Sequence, residues 1–269
     1  KINNLTYQYD KTRKALDNVS MDFNKGNIIG IIGSNGSGKS TLFNNLMGIL
    51  KSTEGEILYN GEQIKYDKKS LYNLRKEVGI VFQDPEKQIF YSMVYDDIAF
   101  ALRNIGIDEK TIKERIHTAL EAVNGLQFID RPVHNLSFGQ KKRVAIASVV
   151  AMENKLVLLD EPTAGLDPIS TRAIVDIIKG LNKRGVKIVI SSHDMNLIYE
   201  ICDYVYVLNQ GVLINEGTRE EVFINEEKID EAGLELPWLV KLHKNMGLPL
   251  FTREEDLYSY WNHREQKTV

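Results

Sequence analysis

The chain has 269 residues, of which 43% are hydrophobic and 26% are charged, and its formal net charge is −3. This composition is ordinary for a globular protein with a buried core, and the slightly acidic balance gives no electrostatic argument for binding nucleic acid. No run approaches the roughly 18 apolar residues of a membrane-spanning helix. Cys202 is the single cysteine, which excludes an internal disulfide and favours a reducing compartment.

The N-terminal part combines short strands with a glycine-rich turn. Apolar residues alternate over 5–9 and 19–23, which predicts two β-strands, and residues 55–61 predict a hairpin. An apolar run at 28–32 leads through glycines into a helix that begins near Thr41. We therefore expect an antiparallel β subdomain beside the start of an α/β core.

The middle of the chain changes to helical spacing. Apolar residues recur every three or four positions over 93–124, and a further helix is predicted over 139–152, so that about 93–152 is a predicted helical subdomain. Beyond it, strands alternate with a helix that Pro168 opens, which predicts right-handed crossovers and a parallel sheet. These strands are predicted at 155–160, 186–191 and 204–208.

The last part of the chain is polar and helical. We therefore predict a main domain over residues 1–225 and a C-terminal helical extension over residues 226–269. One face of this extension is apolar, and it either packs on its own domain or contacts another subunit. That face carries Leu236, Trp238, Leu239, Leu242 and Met246.

The turn after residues 28–32 matches the phosphate-binding pattern GxxxxGK[ST], with a strand before it and a helix after it as that pattern requires. Glycines let backbone N–H groups and a helix N-terminus converge on phosphate oxygens. Lys39 is placed to reach the β- and γ-phosphates, and the Ser40 hydroxyl to hold Mg²⁺. The predicted nucleotide-binding residues of this P-loop are Gly33, Ser34, Asn35, Gly36, Ser37, Gly38, Lys39, Ser40 and Thr41.

A second part of the site is predicted where the apolar run 156–159 ends in two acidic residues. Asp160 would lie at the carboxyl edge of the sheet, where open α/β sheets bind ligands, and is a candidate to hold Mg²⁺. Glu161 is not needed for the metal, so it is a candidate to orient and polarise the attacking water. Such a run alone is a weak signal, but together with a P-loop it is a strong one.

Residues 136–140 (LSFGQ), which we call the signature segment, place a serine and a glycine just before a predicted helix. They offer a hydroxyl, backbone N–H groups and a helix dipole to an anion, although a structural N-cap would look the same. The following basic residues 141–143 predict a solvated helix face, with screening of phosphate charge as the alternative.

Taken together, these motifs resemble the nucleotide-binding subunits of ABC transporters over about residues 5–223. The signature segment is similar to the family pattern LSGGQ, with Phe138 where a glycine is usual; we expect this change to be tolerated. The segments QDPE at 83–86 and LSFGQKKRVAIA at 136–147 are similar to the energy-coupling-factor branch. Within it they most resemble the ATPase subunits of cobalt importers.

The resemblance implies roles for further residues. Gln83 matches the Q-loop, which contacts Mg²⁺ or the attacking water, and His193 matches the switch histidine at the γ-phosphate. Asp167 matches the D-loop. Tyr9 best matches the aromatic residue that stacks on adenine, with Tyr7 as the alternative. The implied catalytic residues are thus Glu161, His193 and Gln83, and the implied Mg²⁺ ligands are Ser40, Gln83 and Asp160.

The resemblance also implies that two subunits face each other head to tail and enclose two ATP molecules. The P-loop of one subunit then meets the signature segment of the other. The residues implied to reach across the dimer are Ser137, Gly139, Gln140 and Asp167. Whether the second subunit is identical or a paralogue stays open.

The function expected from this resemblance is ATP hydrolysis that energises import of cobalt or nickel. The implied partners are integral membrane subunits, with the chain peripheral on the cytoplasmic face of the membrane and no nucleic acid partner. A vitamin importer is the alternative, and a non-transport ABC ATPase is less favoured because its typical tandem cassettes, coiled-coil insertions and basic arms are absent from the sequence. A small-molecule kinase would have no reason to carry the signature segment.

Overall fold

The structure is a computed structural model that describes residues 1–10 and 13–265. Its strands are β1 (Ile2–Gln8), β2 (Lys14–Met21), β3 (Ile28–Ile32), β4 (Glu54–Tyr59), β5 (Glu62–Gln63), β6 (Val78–Val81), β7 (Leu156–Asp160), β8 (Lys187–Ser192), β9 (Tyr204–Asn209) and β10 (Val212–Thr218). Its α-helices are α1 (Lys39–Leu46), α2 (Lys68–Glu77), α3 (Val94–Asn104), α4 (Glu109–Ala122), α5 (Phe138–Ala151), α6 (Pro168–Lys183), α7 (Met195–Ile201), α8 (Arg219–Ile224), α9 (Glu226–Glu231), α10 (Trp238–Met246) and α11 (Glu254–Glu265).

The smaller sheet is antiparallel, with strand order β2-β1-β4-β5. Buried apolar side chains pair across it, with Leu5 opposite Val19 and Ile2 opposite Ile57. They pack in one core with Phe43 of α1. The predicted N-terminal antiparallel β subdomain is thereby confirmed.

The larger sheet has the order β10-β9-β3-β8-β7-β6 and is parallel except for the edge strand β10. All five residues of β3 are buried, as the apolar run at 28–32 predicts for a central strand covered on both faces. Because parallel strands end at one edge, the segments that follow β3, β7 and β8 emerge side by side. This places the P-loop, Glu161 and His193 at the same edge.

Helices α3, α4 and α5 lie between β6 and β7 along the chain, where the sequence predicts a helical subdomain. The helical pattern at 93–124 is two helices rather than one. Gly106 adopts a left-handed φ of 80°, and Asp108 caps α4 by accepting from the Thr111 N–H at 3.0 Å. A left-handed glycine followed by an N-cap ends one helix and starts the next.

The C-terminal helices pack on the main domain. The core beside the larger sheet buries Leu236, Leu239 and Val240. This favours the interpretation that the apolar face packs on its own domain over contact with another subunit. Met246 is the exception, being 62% exposed. Within residues 1–10 and 13–265, no helix combines the length and apolar character needed to cross a membrane.

Candidate active site

The P-loop wraps around the N-terminus of α1. Gly38 has a φ of 107° at the N-cap position, and α1 begins at Lys39. The Lys39 side chain is buried, and its Nζ donates to the carbonyl oxygens of Gly33 at 2.7 Å and Ser34 at 3.1 Å. Burial lowers the pKa of Lys39, and the nearby carboxylates of Glu161 and Asp160 act against this shift. The Lys39 ammonium group is therefore hydrogen-bonded to backbone carbonyls of the P-loop itself.

A cavity of about 590 Å³, which we call the nucleotide cavity, opens over the P-loop. It brings together residues that are far apart in sequence, namely the P-loop with Gln83, Glu161 and His193. Of the two candidate aromatic residues, Tyr9 lines it and Tyr7 packs edge-on against the Tyr9 ring at 5.0 Å. The lining consists of Tyr9, Asp10, Arg13, Lys14, Ala15, Asn35, Gly36, Gly38, Lys39, Ser40, Thr41, Gln83, Glu161, His193 and Gln210.

Tyr9 is 63% exposed, and its hydroxyl lies 3.1 Å from the Thr41 Oγ1. The Tyr9 side chain is thus largely exposed at the cavity, while its phenol oxygen contacts Thr41 of α1. An exposed, anchored aromatic ring at the edge of a phosphate-binding loop offers a stacking surface for a base.

Asp160 ends β7 in a buried position. One of its carboxylate oxygens accepts from the Ser191 hydroxyl at 2.6 Å. The same hydroxyl oxygen accepts from the Glu161 N–H at 3.0 Å, so Ser191 connects the two acidic residues. Ser191, which follows the apolar residues 188–190 of β8, therefore sets the positions of both, although the sequence motifs gave it no role.

Glu161 and His193 form a pair at the cavity wall. Glu161 Oε2 lies 2.7 Å from His193 Nδ1. The Glu161 side chain is 7% exposed and the His193 side chain is 62% exposed, so the carboxylate is sheltered and the imidazole faces outward. Glu161 has a φ of +47°, which is unusual for a residue with a Cβ. Such backbone strain is often found at functional sites.

The prediction that the basic residues 141–143 form a solvated helix face is wrong for Lys142. Its side chain has no solvent exposure, and its Nζ donates to the Glu161 carbonyl oxygen at 2.7 Å. Burial lowers the pKa of Lys142 to about 8, against the effect of the neighbouring acidic groups. Lys141 pairs with Glu86 at 2.5 Å, and Arg143 donates to the Asn124 carbonyl at 3.1 Å.

The signature segment does not line the nucleotide cavity of its own chain. Ser137 is the N-cap of α5, and it forms a capping box with Gln140: the Gln140 N–H donates to Ser137 Oγ, and the Ser137 N–H donates to Gln140 Oε1 at 2.9 Å. One lone pair of the hydroxyl is used in this way, which leaves its proton for another acceptor. The N-terminus of α5 is thus capped by its own side chains and exposed to solvent.

Asp167 also lies outside the cavity, as the N-cap of α6. Its carboxylate accepts from the Ser170 hydroxyl at 2.6 Å and from two backbone N–H groups, and these hydrogen bonds lower its pKa. A Cβ added to Gly139 would lie 3.1 Å from the Ser170 Oγ, so the starts of α5 and α6 are neighbours. The four residues predicted to reach across a dimer therefore share one surface, away from the P-loop.

The sequence profile of the ABC transporter family matches residues 16–164. The chain is 46% identical to the cobalt import ATP-binding protein CbiO of Salmonella typhimurium over 98% of this chain and 95% of the relative. It is 45% identical to the energy-coupling factor transporter ATP-binding protein EcfA of Methanocaldococcus jannaschii, over 88% and 85% of the two chains.

The chain belongs to the ABC transporter ATPase family. It is an ABC-type ATPase of the energy-coupling-factor branch, which confirms the family predicted from the motifs. The solved structure of CbiO1 from Clostridium perfringens, part of the ABC transporter complex CbiONQ, matches with a TM-score of 0.78 and 42% identity over 91% of this chain and 98% of that chain.

A dimeric ABC structure is also similar to this chain. The ATP-binding cassette MJ0796, solved as a dimer in a post-hydrolysis state bound to ADP and phosphate, has a TM-score of 0.73 and 28% identity. The match covers 81% of this chain and 98% of that chain. The mixed α/β fold predicted for this ABC ATPase is confirmed by both structures.

Two P-loop glycines allow a matched test of how this ABC ATPase holds its loop. Both have left-handed backbones, but a Cβ on Gly38 would lie 2.7 Å from the Ala15 carbonyl oxygen, whereas one on Gly36 would meet nothing within 4 Å. We expect Gly38→Ala to destabilise the nucleotide-free protein by about 2 kcal/mol more than Gly36→Ala. Urea denaturation of both variants would measure this difference, and equal midpoints would contradict it.

Proposed function

We propose that this ABC ATPase hydrolyses ATP to drive an importer that carries cobalt or nickel across the cytoplasmic membrane. The observation that carries the proposal is the nucleotide cavity, in which the P-loop, Gln83, Glu161 and His193 meet. The cobalt part is supported by the relatives, since the chain is similar to cobalt import ATP-binding protein CbiO over nearly its whole length.

Residues of the site fit a Mg²⁺ ion bound with the nucleotide. Ser40 and Gln83 line the cavity, and Asp160 is buried next to Glu161, which lines it as well. These are oxygen donors, and Mg²⁺ is usually held by one or two carboxylates together with substrate phosphates and water rather than by a full protein cage. Ser40, Gln83 and Asp160 would hold the ion, which would neutralise phosphate charge when bound.

Hydrolysis in this proposal depends on the Glu161–His193 pair. The oxygen of the attacking water forms a bond to the γ-phosphorus, and the bond to the β,γ-bridging oxygen breaks and leaves its electron pair on ADP. The proton that the water loses ends on the phosphate product. Glu161 accepts a hydrogen bond from the water and orients it, while Lys39, Gln83 and His193 face the γ-phosphate. The hydrogen bond between His193 and Glu161 keeps the carboxylate in place.

The exposed N-terminus of α5 supports a site completed by a second subunit. Ser137, Gly139 and Gln140 present a capped helix start on a surface that is separate from the nucleotide cavity of the same chain. A helix N-terminus favours an anion, and the γ-phosphate bound by another copy or a paralogue would supply one. Asp167, beside it at the start of α6, would lie at the same dimer interface.

The membrane partners have a suitable surface in an apolar groove of about 700 Å³, the partner groove. Several large apolar side chains line it, and Phe90 is 77% exposed. The loop that carries Phe90 is held by Asp97, whose buried carboxylate accepts from the Phe90 and Tyr91 N–H groups. We propose that membrane subunits dock here, close to Gln83, and hold the chain peripherally on the cytoplasmic face. The apolar lining includes Ile49, Tyr72, Phe82, Phe90 and Phe100.

A vitamin importer is the second candidate, because the chain is also 45% identical to the energy-coupling factor transporter ATP-binding protein EcfA, whose name specifies no solute. The two candidates are separated by uptake into vesicles that contain the copurified complex and internal MgATP. The proposal expects uptake of radiolabelled Co²⁺ or Ni²⁺ that is lost in a Lys39→Ala complex. Vitamin uptake without metal uptake would instead establish the second candidate.

A further inference from the structure

Lys142 is a lysine without solvent exposure, and the proposed hydrolysis does not use it. It lies on α5, shortly after the signature segment. Burying an ammonium group costs free energy unless the group is paired and hydrogen-bonded. A position that served packing alone could carry an apolar side chain of similar volume, often without loss of stability. The buried lysine therefore points to a function beyond packing.

The contacts of Lys142 connect two parts of the site. Its Nζ donates to the Glu161 carbonyl oxygen at 2.7 Å and lies 5.6 Å from the centre of the Phe138 ring. Asp84, Asp160 and Glu161 supply negative charge around the ammonium group. Lys142 thus lies between the signature segment, through Phe138, and the backbone of Glu161.

The backbone of Glu161 needs such support because of its left-handed φ of +47°. A non-glycine residue in this region costs on the order of 1–3 kcal/mol and persists only where its surroundings hold it. On one side, the Glu161 N–H donates to the carbonyl and the hydroxyl of Ser191, at 3.2 and 3.0 Å. On the other side, the Glu161 carbonyl accepts from Lys142 at 2.7 Å and, more weakly, from the Ala164 N–H at 3.2 Å. These backbone contacts, together with the His193 hydrogen bond to the carboxylate, set the direction of the Glu161 side chain.

We propose that Lys142 is a positioning residue that holds the Glu161 backbone so that its carboxylate faces the nucleotide cavity. This inference rests on the proposed role of Glu161 in hydrolysis. Because α5 starts at the signature segment, Lys142 also connects the nucleotide of the partner subunit to Glu161 of its own chain. A shift of α5 when the two subunits close would therefore reach the Glu161 carboxylate through one hydrogen bond.

The first test is Lys142→Met, which keeps the volume of the side chain and removes its donor. We expect kcat for ATP to fall about tenfold to a hundredfold, because small displacements of a catalytic group have effects of that size. The KM for ATP and the thermal unfolding temperature should stay close to wild type. Lys142→Gln, which keeps an N–H donor without the charge, should regain part of the lost kcat. Lys179→Met, which removes a surface ion pair with Glu200, is the matched control.

A double variant separates positioning from a general structural effect. If Lys142 acts through Glu161, adding Lys142→Met to Glu161→Gln should leave the residual turnover unchanged within about twofold. The inference would be overturned if the reductions in turnover of the two single variants multiplied in the double variant, or if Lys142→Met kept the wild-type kcat. If the proposed role of Glu161 in hydrolysis is itself wrong, Glu161→Gln alone would retain full turnover, which distinguishes that failure from a failure of the role of Lys142.

Discussion

Replacing Glu161 by Gln is expected to lower ATP turnover about a hundredfold or more. The amide keeps the shape of the side chain but loses the carboxylate that is proposed to orient and polarise water, and such general-base contributions are typically 10²–10⁴-fold. ATP binding should stay within about threefold of wild type, because the proposed phosphate-binding groups, the P-loop and Lys39, are unchanged. Steady-state phosphate release and equilibrium binding of a fluorescent ATP analogue measure the two quantities.

The matched control for this variant is Glu153→Gln. Glu153 carries the same side chain and pairs with Arg115 on the surface, outside the nucleotide cavity. It should retain turnover within about twofold of wild type, since exposed ion pairs contribute about 1 kcal/mol or less to stability. Near-normal turnover in Glu161→Gln would remove Glu161 from the role proposed for it.

Ser137→Arg is expected to reduce turnover at least about tenfold and to remove its cooperativity with ATP concentration, while each chain still binds ATP. The arginine replaces the hydroxyl at the exposed start of α5 and obstructs the surface that would meet the γ-phosphate of the other subunit. Moving a two-state dimer from 1:99 to 99:1 takes about 5.5 kcal/mol, and charge-assisted hydrogen bonds contribute about 1.5–3 kcal/mol each. Loss of two of them removes about 3–6 kcal/mol, which is enough to leave less than half of the dimers closed.

The loss of an N-cap needs its own control, because it costs about 1 kcal/mol wherever it occurs. Thr218 caps α8 with the same kind of capping box, formed with Glu221, and lies outside the nucleotide cavity. Thr218→Arg should therefore match Ser137→Arg in thermal stability but keep cooperative turnover. If Ser137→Arg hydrolyses ATP as wild type does, with the same dependence on ATP concentration, the proposal that a second subunit completes each nucleotide site is contradicted.

Local patterns predicted much of the fold and the site. The P-loop is continuous in sequence and its geometry follows from glycines between a strand and a helix, so Gly33 to Thr41 could be read directly. Asp160 followed from an apolar strand that ends in a carboxylate. The cap of α5 by Ser137 and the start of α6 at Pro168 also follow from short-range rules.

Contacts between distant segments could not be predicted in the same way. Lys142 belongs to a run of three basic residues, and only the packing of α5 decides that its side chain is the buried one. Ser191 acquires its importance from strand order, which brings it beside Asp160. Helix α2 has few buried residues, with Leu74 the one fully buried, so its apolar pattern is weak in the sequence.

The C-terminal extension is a further case. Trp238 donates through its backbone N–H to the side-chain oxygen of Asn196 on α7, and Asn209 donates to the Glu231 carbonyl, both at 2.9 Å. These contacts join the extension to α7 and to the last residue of β9. Periodicity indicated an apolar face there, but it could not say which surface would cover it.

The central claim, that each nucleotide site is completed by a second chain, is tested most directly by ATP retained after rapid desalting of mixed variants. Both variants carry Glu161→Gln to prevent hydrolysis; one adds Lys39→Ala and the other adds Ser137→Arg. Neither alone should retain ATP, because the Lys39→Ala chain lacks the P-loop lysine, and the Ser137→Arg chain binds ATP only at open sites that release it during desalting. The mixture should retain it, because the P-loop of the Ser137→Arg chain meets the intact signature segment of the Lys39→Ala chain. Retention in the mixture no greater than the sum of the separate proteins would contradict the claim.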